Sequence, residues 1–321
     1  MREIIINGVV INDDSSCYVI AEIGHNHQGN LETCREMFHV ARECGADAVK
    51  LQKRDNRALY IEALYSQPYD HRNSYGKTYG EHREFLEFGK NEYLELKRYA
   101  EELHVAFICT PFDFPSVDFL AEIDLPAYKI ASGDLNNTPL QMRIAGLGKP
   151  MFLSTGGGTI DDVQRAYDTI MPINSQLCIM QCTASYPCEA EEMNLNVIET
   201  YRERFPDIVV GLSDHQNGIS MSLVAYTLGA RVFEKHFTLN HAWQGTDHAF
   251  SLEPIGLKKM IRDLRHAREA LGDGIKTPYS SETVPLYKMG KKLVAANDLE
   301  EGHVLTIDDI AIKSPNDGLP P

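Results

Sequence analysis

The chain has 321 residues, of which 43% are hydrophobic and 24% are charged, and its formal net charge is −15. This composition is typical of a globular protein and excludes a long disordered chain. The acidic balance argues against nucleic acid as the main partner, because contact with its phosphates needs a basic face.

The predicted elements begin with a β-hairpin over Glu3–Ile11, which turns at Asn7 and Gly8. After it, short apolar runs recur, rich in Val, Ile, Leu and Phe, and each run ends in polar residues. That pattern is typical of parallel strands covered by helices. The runs are Cys17–Ile23, Asp47–Gln52, Val105–Thr110, Ala127–Ser132, Met151–Thr155, Leu177–Cys182, Ile208–Ser213 and Arg231–Phe237.

Stretches with helical spacing separate these runs, and they are Leu31–Cys44, Asn91–His104, Pro115–Ile123, Thr138–Leu147, Ile160–Ile170, Asn194–Arg204, Gly218–Leu228 and Pro254–Leu271. Eight strands that alternate with eight helices predict an α/β fold of the (β/α)8 TIM-barrel type. A doubly wound sheet is the alternative, but no GxGxxG turn follows the first strand. In a barrel, the hairpin would plug the N-terminal end.

Two segments do not fit the repeat. Lys53–Gly89 is polar and rich in tyrosine, and it leaves the C-terminal end of the second predicted strand. A loop of this length is typically functional or disordered, so we predict a lid or a substrate wall. After the barrel, which is predicted over residues 1–272, we expect a linker over 273–290. Residues 291–321 contain strand-like pieces but are too short for a core of their own.

The cysteine pattern and the start of the chain bear on its location. The seven cysteines form no CxxC pair and lie mostly in apolar runs, so we expect buried, reduced thiols. A catalytic thiol is the alternative for Cys109 or Cys182. No apolar run approaches the roughly 20 residues that span a bilayer, and Met1–Ile6 lacks the core of a signal peptide. We therefore expect a cytoplasmic protein without a membrane partner.

The active site of such a barrel forms where the strands end at their C-terminal face. The polar residues at the predicted strand ends are Glu22, His25, His27, Lys50, Gln52, Thr110, Lys129, Ser132, Asp134, Ser154, Thr155, Thr183, Ser185, Tyr186, Ser213, Asp214, His215, Glu234 and His236, with Asp247 in the loop beyond.

Lys50 and Lys129 are the most informative of these residues, because lysine seldom lies within an apolar strand unless it is paired. Two lysines at one barrel mouth would attract a phosphate- or carboxylate-bearing ligand, helped by serine hydroxyls and by the backbone amides of Gly156–Gly158. Two alternatives remain open. Each lysine could neutralise a buried glutamate such as Glu22 or Glu234, or one lysine could form a Schiff base with substrate.

His215 and His236 lie at adjacent strand ends, and imidazole is the commonest ligand of transition metals. Two protein ligands would leave open positions, as a catalytic metal requires. The carboxylates of Glu22 and Asp247 would suit Mn²⁺ or Mg²⁺. The alternative is that each histidine is purely structural.

Four short stretches of the sequence resemble motifs of the N-acetylneuraminate (sialic acid) synthase family. They are Ile20–His27 (IAEIGHNH), Pro126–Asp134 (PAYKIASGD), Gly211–His215 (GLSDH) and Glu234–Thr238 (EKHFT), and they occur in the family's order. The likeness runs from about residue 15 to the end of the chain.

The resemblance implies a transferase that condenses phosphoenolpyruvate with an open-chain sugar aldehyde, giving a 3-deoxy-2-keto sugar acid of the nonulosonic type and inorganic phosphate. It implies that phosphoenolpyruvate binds to Lys50, Thr110, Lys129, Ser132, Ser154 and Ser213. It implies a divalent metal on His215 and His236, with Mn²⁺ first and Mg²⁺ or Co²⁺ as alternatives. The residues facing the sugar and the attacking water would be Glu22, Gln52, Asp134, Tyr186, Glu234 and Asp247.

Departures from the family pattern leave the sugar open. Asp134 stands where the family often has Glu, Ala184 where it often has Asn, and Ser314 where a partner subunit usually supplies a substrate-binding Arg. The C-terminal segment resembles a shortened antifreeze-like (SAF-type) domain, which implies a domain-swapped homodimer. A shorter sugar giving an octulosonic acid, a Schiff-base aldolase or lyase, and a non-catalytic sugar-phosphate-binding protein are the alternatives.

Overall fold

The computed structural model describes residues 2–321, and the chain divides into two compact units, one ending at Ala270 and the other running from Leu271 to Pro321. The first unit opens with the predicted hairpin, formed by β1 (Glu3–Ile6) and antiparallel β2 (Val9–Asn12). Asn7 and Gly8 have φ angles of 47° and 81°, which is the left-handed pair that a two-residue hairpin turn needs.

The hairpin closes the N-terminal end of a barrel, as predicted. Ile4, Ile6 and Ile11 point to one side and are each 1% exposed, whereas Ile5 on the other side is 45% exposed. The three buried isoleucines pack in one cluster with the small and branched residues that begin the barrel strands, such as Ala48. Alternation along the hairpin therefore gives it one apolar face, and that face fills the bottom of the barrel.

Eight parallel strands form the barrel, which confirms the predicted (β/α)8 fold. Each strand pairs with the next one along the chain, and the last pairs with the first, where Val232 lies opposite Tyr18. The strands are β3 (Tyr18–Gly24), β4 (Ala48–Lys53), β5 (Ala106–Pro111), β6 (Tyr128–Ile130), β7 (Met151–Ser154), β8 (Leu177–Cys182), β9 (Val209–Asp214) and β10 (Val232–His236).

Most helices of this unit surround the barrel and bury their apolar faces against the strands. In α8, for example, Thr159 and Asp162 form a capping box, and Val163, Ala166 and Ile170 lie on the buried face. The helices are α1 (Leu31–Glu43), α2 (Asn56–Leu59), α3 (Glu62–Tyr65), α4 (Tyr79–Phe85), α5 (Lys90–Glu102), α6 (Phe114–Ile123), α7 (Thr138–Ala145), α8 (Ile160–Ile170), α9 (Val197–Arg204), α10 (Ser220–Thr227) and α11 (Pro254–Leu271).

The long segment Lys53–Gly89 differs from the predicted loop, because it contains the three short helices α2, α3 and α4. Asp55 caps α2, and a capping box of Thr78 and Glu81 starts α4. Aromatic contacts hold the segment together, including Tyr69 against Tyr79 at 5.5 Å between ring centroids. The tyrosines therefore pack against one another and order the segment.

The second unit contains α12 (Thr283–Met289) and an antiparallel pair formed by β11 (Lys292–Ala295) and β12 (Ile310–Lys313). Helix α12 lies within residues 273–290, the range predicted as a linker. Its Pro285 falls in the first turn, where a missing backbone N–H costs nothing. Within the described part of the chain, no helix is both long and apolar enough to span a membrane.

Candidate active site

The strands end around a cavity of about 510 Å³, and this cavity collects nearly all of the predicted site residues. Those on its wall are Glu22, Lys50, Gln52, Thr110, Lys129, Ser132, Ser154, Tyr186, Ser213, His215, Glu234, His236 and Asp247. All but Asp247 lie on barrel strands or in the first residues after them, so closing the barrel brings them together.

Asp134 does not line this wall. A single turn of 3₁₀ helix, Ser132–Asp134, follows β6, and the Asp134 carboxylate accepts a hydrogen bond from Asn137 Nδ2 at 2.9 Å. The structure therefore gives this carboxylate a local capping partner away from the cavity.

Two of the three predicted glycine amides, those of Gly156 and Gly158, bond within the protein. The amide of Gly156 donates to Ser132 Oγ at 3.0 Å, and the amide of Gly158 donates to Thr155 O. A side-chain carbon on Gly156 would approach Ser132 Oγ and Ala184 Cβ to 2.8 Å, so the loop packs tightly behind the wall. The amide of Gly156 therefore supports the serine that lines the cavity.

The two lysines form a buried network with two glutamates. Lys50 Nζ lies 2.8 Å from Glu22 Oε2 and 3.5 Å from Glu234 Oε1, and Lys129 Nζ lies 3.9 Å from Glu234 Oε1. Lys50 also donates to Thr110 Oγ1 at 2.9 Å. In this structure the lysines do neutralise the glutamates, as one of the alternatives proposed, but all four side chains also face the cavity.

The charges in this network stabilise one another. Burial alone would lower the pKa of Lys50, but Glu22 and Glu234 outweigh it and raise the pKa above its usual value. Burial would raise the pKa of Glu234, and Lys129 with Lys50 outweighs that effect and lowers it. Glu234 Oε2 is buried with no hydrogen-bond partner among residues 2–321, so an acceptor remains free beside the lysines.

The two imidazoles lie side by side, with 5.4 Å between the ring centroids of His215 and His236. His215 Nδ1 is 2.9 Å from Thr183 O, so this nitrogen carries a proton that the carbonyl oxygen accepts. His236 Nδ1 is buried without a hydrogen-bond partner in the described residues and lies 3.7 Å from Asp247 Oδ2. Burial lowers the pKa of His236 and favours its neutral form.

These donors fit a divalent metal held by two protein ligands. Neutral imidazoles are the ligand form of histidine, and an unpartnered buried nitrogen is a free donor. Residues 2–321 contain no group of three or more His, Cys, Asp and Glu side chains arranged to hold a metal. Water or substrate oxygens would therefore have to complete the coordination, which is the open arrangement that catalysis uses.

Comparison with known proteins agrees with the geometry. The NeuB family model matches residues 37–276. The chain belongs to the NeuB family. This finding confirms the resemblance given by the four motifs.

Named relatives cover most of this NeuB-family chain. Human N-acetylneuraminate-9-phosphate synthase is 42% identical over 92% of this chain and 83% of its own length. The N,N'-diacetyllegionaminic acid synthase of Campylobacter jejuni is 34% identical over 94% of this chain and 91% of its own. The N-acetylneuraminic acid synthetase of Leptospira borgpetersenii, solved with citrate, superimposes with a TM-score of 0.77, at 30% identity, over 88% of this chain and 95% of that chain. The NeuB-family protein is accordingly a phosphoenolpyruvate-dependent synthase that forms C–C bonds.

We selected site residues from the sequence by taking the polar residues at the ends of predicted strands, which we call the strand-end rule. The cavity wall also contains residues that this rule missed, notably Arg54, Arg83, Phe112 and Phe250. Arg54 directly follows β4, so its position at a strand end was an available signal. Arg83 lies on α4, and its nearness to Arg54 is visible only in the folded chain. Of the two cysteines considered as thiols, Cys182 lines the cavity.

His27 follows the strand that carries Glu22 but does not reach the cavity. It is 2% exposed and stacks on Phe88, with 4.3 Å between ring centroids. Burial lowers the pKa of His27 to about 3. The unfolded chain then binds a proton that the folded chain does not, so stability falls as pH drops below about 6.5.

We expect His27→Phe to reduce the slope of unfolding free energy against pH by about 1.4 kcal/mol per pH unit between about pH 6 and pH 4. Urea unfolding at a series of pH values measures this slope. His39→Gln is the matched control, because the His39 side chain is 49% exposed, and its slope should equal that of the unsubstituted protein. Equal slopes for His27→Phe and the unsubstituted protein would contradict the prediction.

Proposed function

We propose that this NeuB-family synthase condenses phosphoenolpyruvate with an open-chain sugar aldehyde, giving a 3-deoxy-2-keto nonulosonic acid and inorganic phosphate. The observation that carries the proposal is the convergence of Lys50, Lys129, His215 and His236 on one cavity rim. The two lysines suit an enolpyruvyl anion, and the two histidines suit a carbonyl group bound through a cation.

The lysine side of the cavity would hold phosphoenolpyruvate. Lys129 donates to Ser154 Oγ, so an ammonium and a hydroxyl lie together on one wall. Ser132 and Ser213 add hydroxyl groups on the same wall. Charge-assisted hydrogen bonds from such donors are the usual grip on phosphate and carboxylate. Because the glutamates already pair with the lysines, the ligand's oxygens would compete with Glu22 and Glu234.

The imidazole side would hold the cation, and Mn²⁺ is the proposed ion, with Asp247 as the nearby carboxylate. A divalent cation bound there would polarise a carbonyl oxygen as a Lewis acid. Tyr186 packs on His215 with 4.3 Å between ring centroids and is itself 56% exposed. Tyr186 and Gln52 would therefore lie against the sugar.

The chemistry balances without another co-reactant. Carbon C3 of phosphoenolpyruvate attacks the aldehyde carbon, and positive charge develops at C2. The aldehyde oxygen takes up a proton and becomes a hydroxyl group. Water adds to C2, and the C2–oxygen bond to phosphate then breaks, which leaves the keto acid and inorganic phosphate. Glu22 is 1% exposed and accepts a hydrogen bond from Gln52 at 2.7 Å. Glu22, or the free oxygen of Glu234, would take the proton of the attacking water.

The length of the sugar is the finer part of the proposal. The relatives are named for N-acetylneuraminate 9-phosphate and N,N'-diacetyllegionaminic acid, which supports a nonulosonic product over an octulosonic one. Ala184 and Ser314 stand where the family more often has side chains that contact the substrates, so these two departures leave the identity of the sugar open. The domain-swapped homodimer and the cytoplasmic location stay predictions.

A screen of aldoses with phosphoenolpyruvate and Mn²⁺ tests the proposal, with phosphate release and the product mass as readouts. A product whose mass equals both substrates plus water minus phosphoric acid supports it. Trapping of a lysine adduct by borohydride, with no effect of chelator, would instead support the Schiff-base alternative. Ligand binding without phosphate release would support the non-catalytic alternative.

We expect Lys129→Ala to raise the KM for phosphoenolpyruvate by about 100-fold, because a charged hydrogen bond contributes about 3 kcal/mol. Steady-state kinetics at saturating sugar measures this change. Lys90→Ala is the control, since the Lys90 side chain is 55% exposed on the outer surface, and its KM should not change. An unchanged KM in folded Lys129→Ala would refute the assignment.

A further inference from the structure

A second cavity lies at the N-terminal end of the barrel, opposite the candidate active site. Its volume is about 670 Å³, within the roughly 300–1,000 Å³ typical of small-molecule sites. The hairpin, the starts of the barrel strands and helices α1 and α5 form its walls. We call it the lower cavity, and the residues of its wall that concern its chemistry are Ile6, Tyr18, Arg42, Asp47, Lys97 and Phe107. It shares no wall residue with the active-site cavity.

Tyr18, at the start of β3, has a buried hydroxyl group without a partner. The residue is 3% exposed, and no atom of residues 2–321 forms a hydrogen bond with its hydroxyl. Burial, and after it the negative charge of Asp47, raises the pKa of Tyr18. A buried polar group without a partner costs about 1–3 kcal/mol. A bound molecule that supplies the missing hydrogen bond would offset this cost.

The carboxylate of Asp47 has one oxygen in use. Its Oδ2 accepts a hydrogen bond from the amide of Val19 at 2.8 Å, whereas no donor of residues 2–321 reaches Oδ1. Burial raises the pKa of Asp47, although the Val19 amide and the more distant charges of Arg265 and Arg42 oppose this effect. The inner end of the lower cavity therefore offers an acceptor and a hydroxyl group to a ligand.

The outer end of the lower cavity carries positive charge. Arg42 on α1 is exposed and donates through Nε to Leu103 O at 3.1 Å, but its two Nη atoms have no partner among residues 2–321. Lys97 on α5 donates to Ile123 O at 2.8 Å and to Asp124 O at 3.0 Å, which leaves one of its three N–H groups free. An acidic group would therefore bind at this end, away from Asp47.

The rest of the wall adds an apolar floor and little free charge. Ile6 and Phe107 are 1% and 2% exposed. Lys149 and Asp124 pair with each other at 2.9 Å, and Glu101 is an exposed acceptor at the rim. A purely anionic or a purely apolar molecule would match only part of this wall.

We propose that the lower cavity binds a hydroxylated carboxylic acid of the class that the synthase releases. This inference rests on the proposed function, which supplies a sugar acid as the product. Hydroxyl groups of the acid would bind to Asp47 Oδ1 and to the hydroxyl of Tyr18, and its carboxylate would accept from Arg42 and Lys97. The lower cavity is thus a second site for the product, separate from the site that forms it.

The same strands start at the lower cavity and end at the active site. Strand β3 runs from Tyr18 to Glu22 and beyond, and β4 begins after Asp47 and carries Lys50. At about 3.3 Å per residue, these pairs of residues lie roughly 10–13 Å apart along the strands. A sugar acid in the lower cavity and phosphoenolpyruvate in the active site can therefore be bound at the same time.

Calorimetric titration with N-acetylneuraminate at saturating phosphoenolpyruvate tests the proposal, because phosphoenolpyruvate would block the lysine side of the active site. The unsubstituted protein should still bind N-acetylneuraminate. Tyr18→Phe and Arg42→Gln should each weaken this binding by about 10-fold. An N-acylated aldohexose, which lacks the carboxylate, and acetate, which lacks the hydroxyl groups, should each bind at least about 10-fold more weakly.

Two variants serve as matched controls. Tyr226→Phe also removes a buried hydroxyl without a partner, but Tyr226 lies outside the lower cavity. Arg98→Gln removes a guanidinium from α5, where the Arg98 side chain is 71% exposed and outside the wall. Both controls should bind N-acetylneuraminate as the unsubstituted protein does. Since Arg42 is exposed, Arg42→Gln keeps the test decisive if Tyr18→Phe does not fold.

Loss of N-acetylneuraminate binding at saturating phosphoenolpyruvate, unchanged affinity in folded Tyr18→Phe or in Arg42→Gln, or equal affinity for acetate would overturn the proposal. The same titration separates this inference from the proposed function, because it needs no turnover. Binding that depends on Tyr18 and Arg42, without phosphate release from any sugar, would count against the synthase proposal alone. Phosphate release, together with N-acetylneuraminate binding that phosphoenolpyruvate abolishes, would count against the lower cavity alone.

Discussion

His236→Ala is expected to lower metal-stimulated turnover by about 1,000-fold, and His215→Ala should do the same. The two imidazoles are the only histidine rings on the cavity wall among residues 2–321, so either substitution leaves a single nitrogen ligand. A bound cation supplies several kcal/mol of transition-state stabilisation, and about 4 kcal/mol corresponds to the expected loss.

Two measurements check this prediction. The first is the rate of phosphoenolpyruvate consumption with sugar, with and without Mn²⁺ and after treatment with chelator. The second is direct titration of Mn²⁺, which should bind the unsubstituted protein and not the variants. His241→Ala is the control, because its side chain is 48% exposed in the loop after β10 and lies outside the cavity wall. Full activity of a metal-free His215→Ala/His236→Ala double variant would remove the metal from the mechanism.

The sequence predicts the barrel well because the pattern that marks each strand lies within a few consecutive residues. Each strand is a short apolar run followed by polar residues, and a run such as Leu177–Cys182 keeps the same bounds in the structure. The strand-end rule then places Lys50 and His236 at one rim without any knowledge of contacts, because parallel strands of a closed barrel end on the same side.

The parts that the sequence did not predict depend on contacts distant in the chain or on very short elements. Helices α2 and α3 have four residues each, which is too few to show helical periodicity. Arg54 and Arg83 meet only through His25, which follows a different strand. Asp134 satisfies the strand-end rule, yet its hydrogen bond to Asn137 belongs to a local turn that the rule does not describe.

The choice between a ligand-binding and a charge-neutralising role for the lysines could not be made from spacing. Both roles require Lys50 to point into the barrel, as do Glu22 and Glu234. The structure shows that the two roles coincide, since the same ammonium group contacts both glutamates and lines the cavity. Buried charges on facing strands therefore signal a site without revealing its ligand.

A second buried ion pair lies just behind the imidazoles. Lys235 is the residue between Glu234 and His236 on β10, so its side chain points away from the cavity. Its Nζ is 2.7 Å from Asp214 Oδ2, and the two side chains are 1% and 2% exposed. Lys235 lies directly opposite Asp214 in the β10–β9 pairing, so the ion pair joins the ends of the strands that carry the histidines.

The contacts around this pair fix the chain after β9. Lys235 also donates to Gln216 O, and Asp214 Oδ1 accepts from the amide of Gln216 at 2.8 Å. The amide of Cys188 donates to His215 O at 3.1 Å. Hydrogen bonds therefore fix the backbone on both sides of His215, and one of them comes from the buried ammonium group of Lys235.

We expect Lys235→Met to lower the free energy of unfolding by about 3–5 kcal/mol, because it leaves the Asp214 carboxylate buried without its partner. Replacing both residues, as Lys235→Met with Asp214→Leu, should recover much of the loss, since a buried ion pair is often no more stabilising than apolar side chains of similar volume. Urea unfolding of both variants measures the two values.

Lys90→Met is the control, because the Lys90–Glu122 pair is 55% and 64% exposed, and its cost should be below about 0.5 kcal/mol. A cost below about 1 kcal/mol for Lys235→Met would show that the pair does not hold the strand ends.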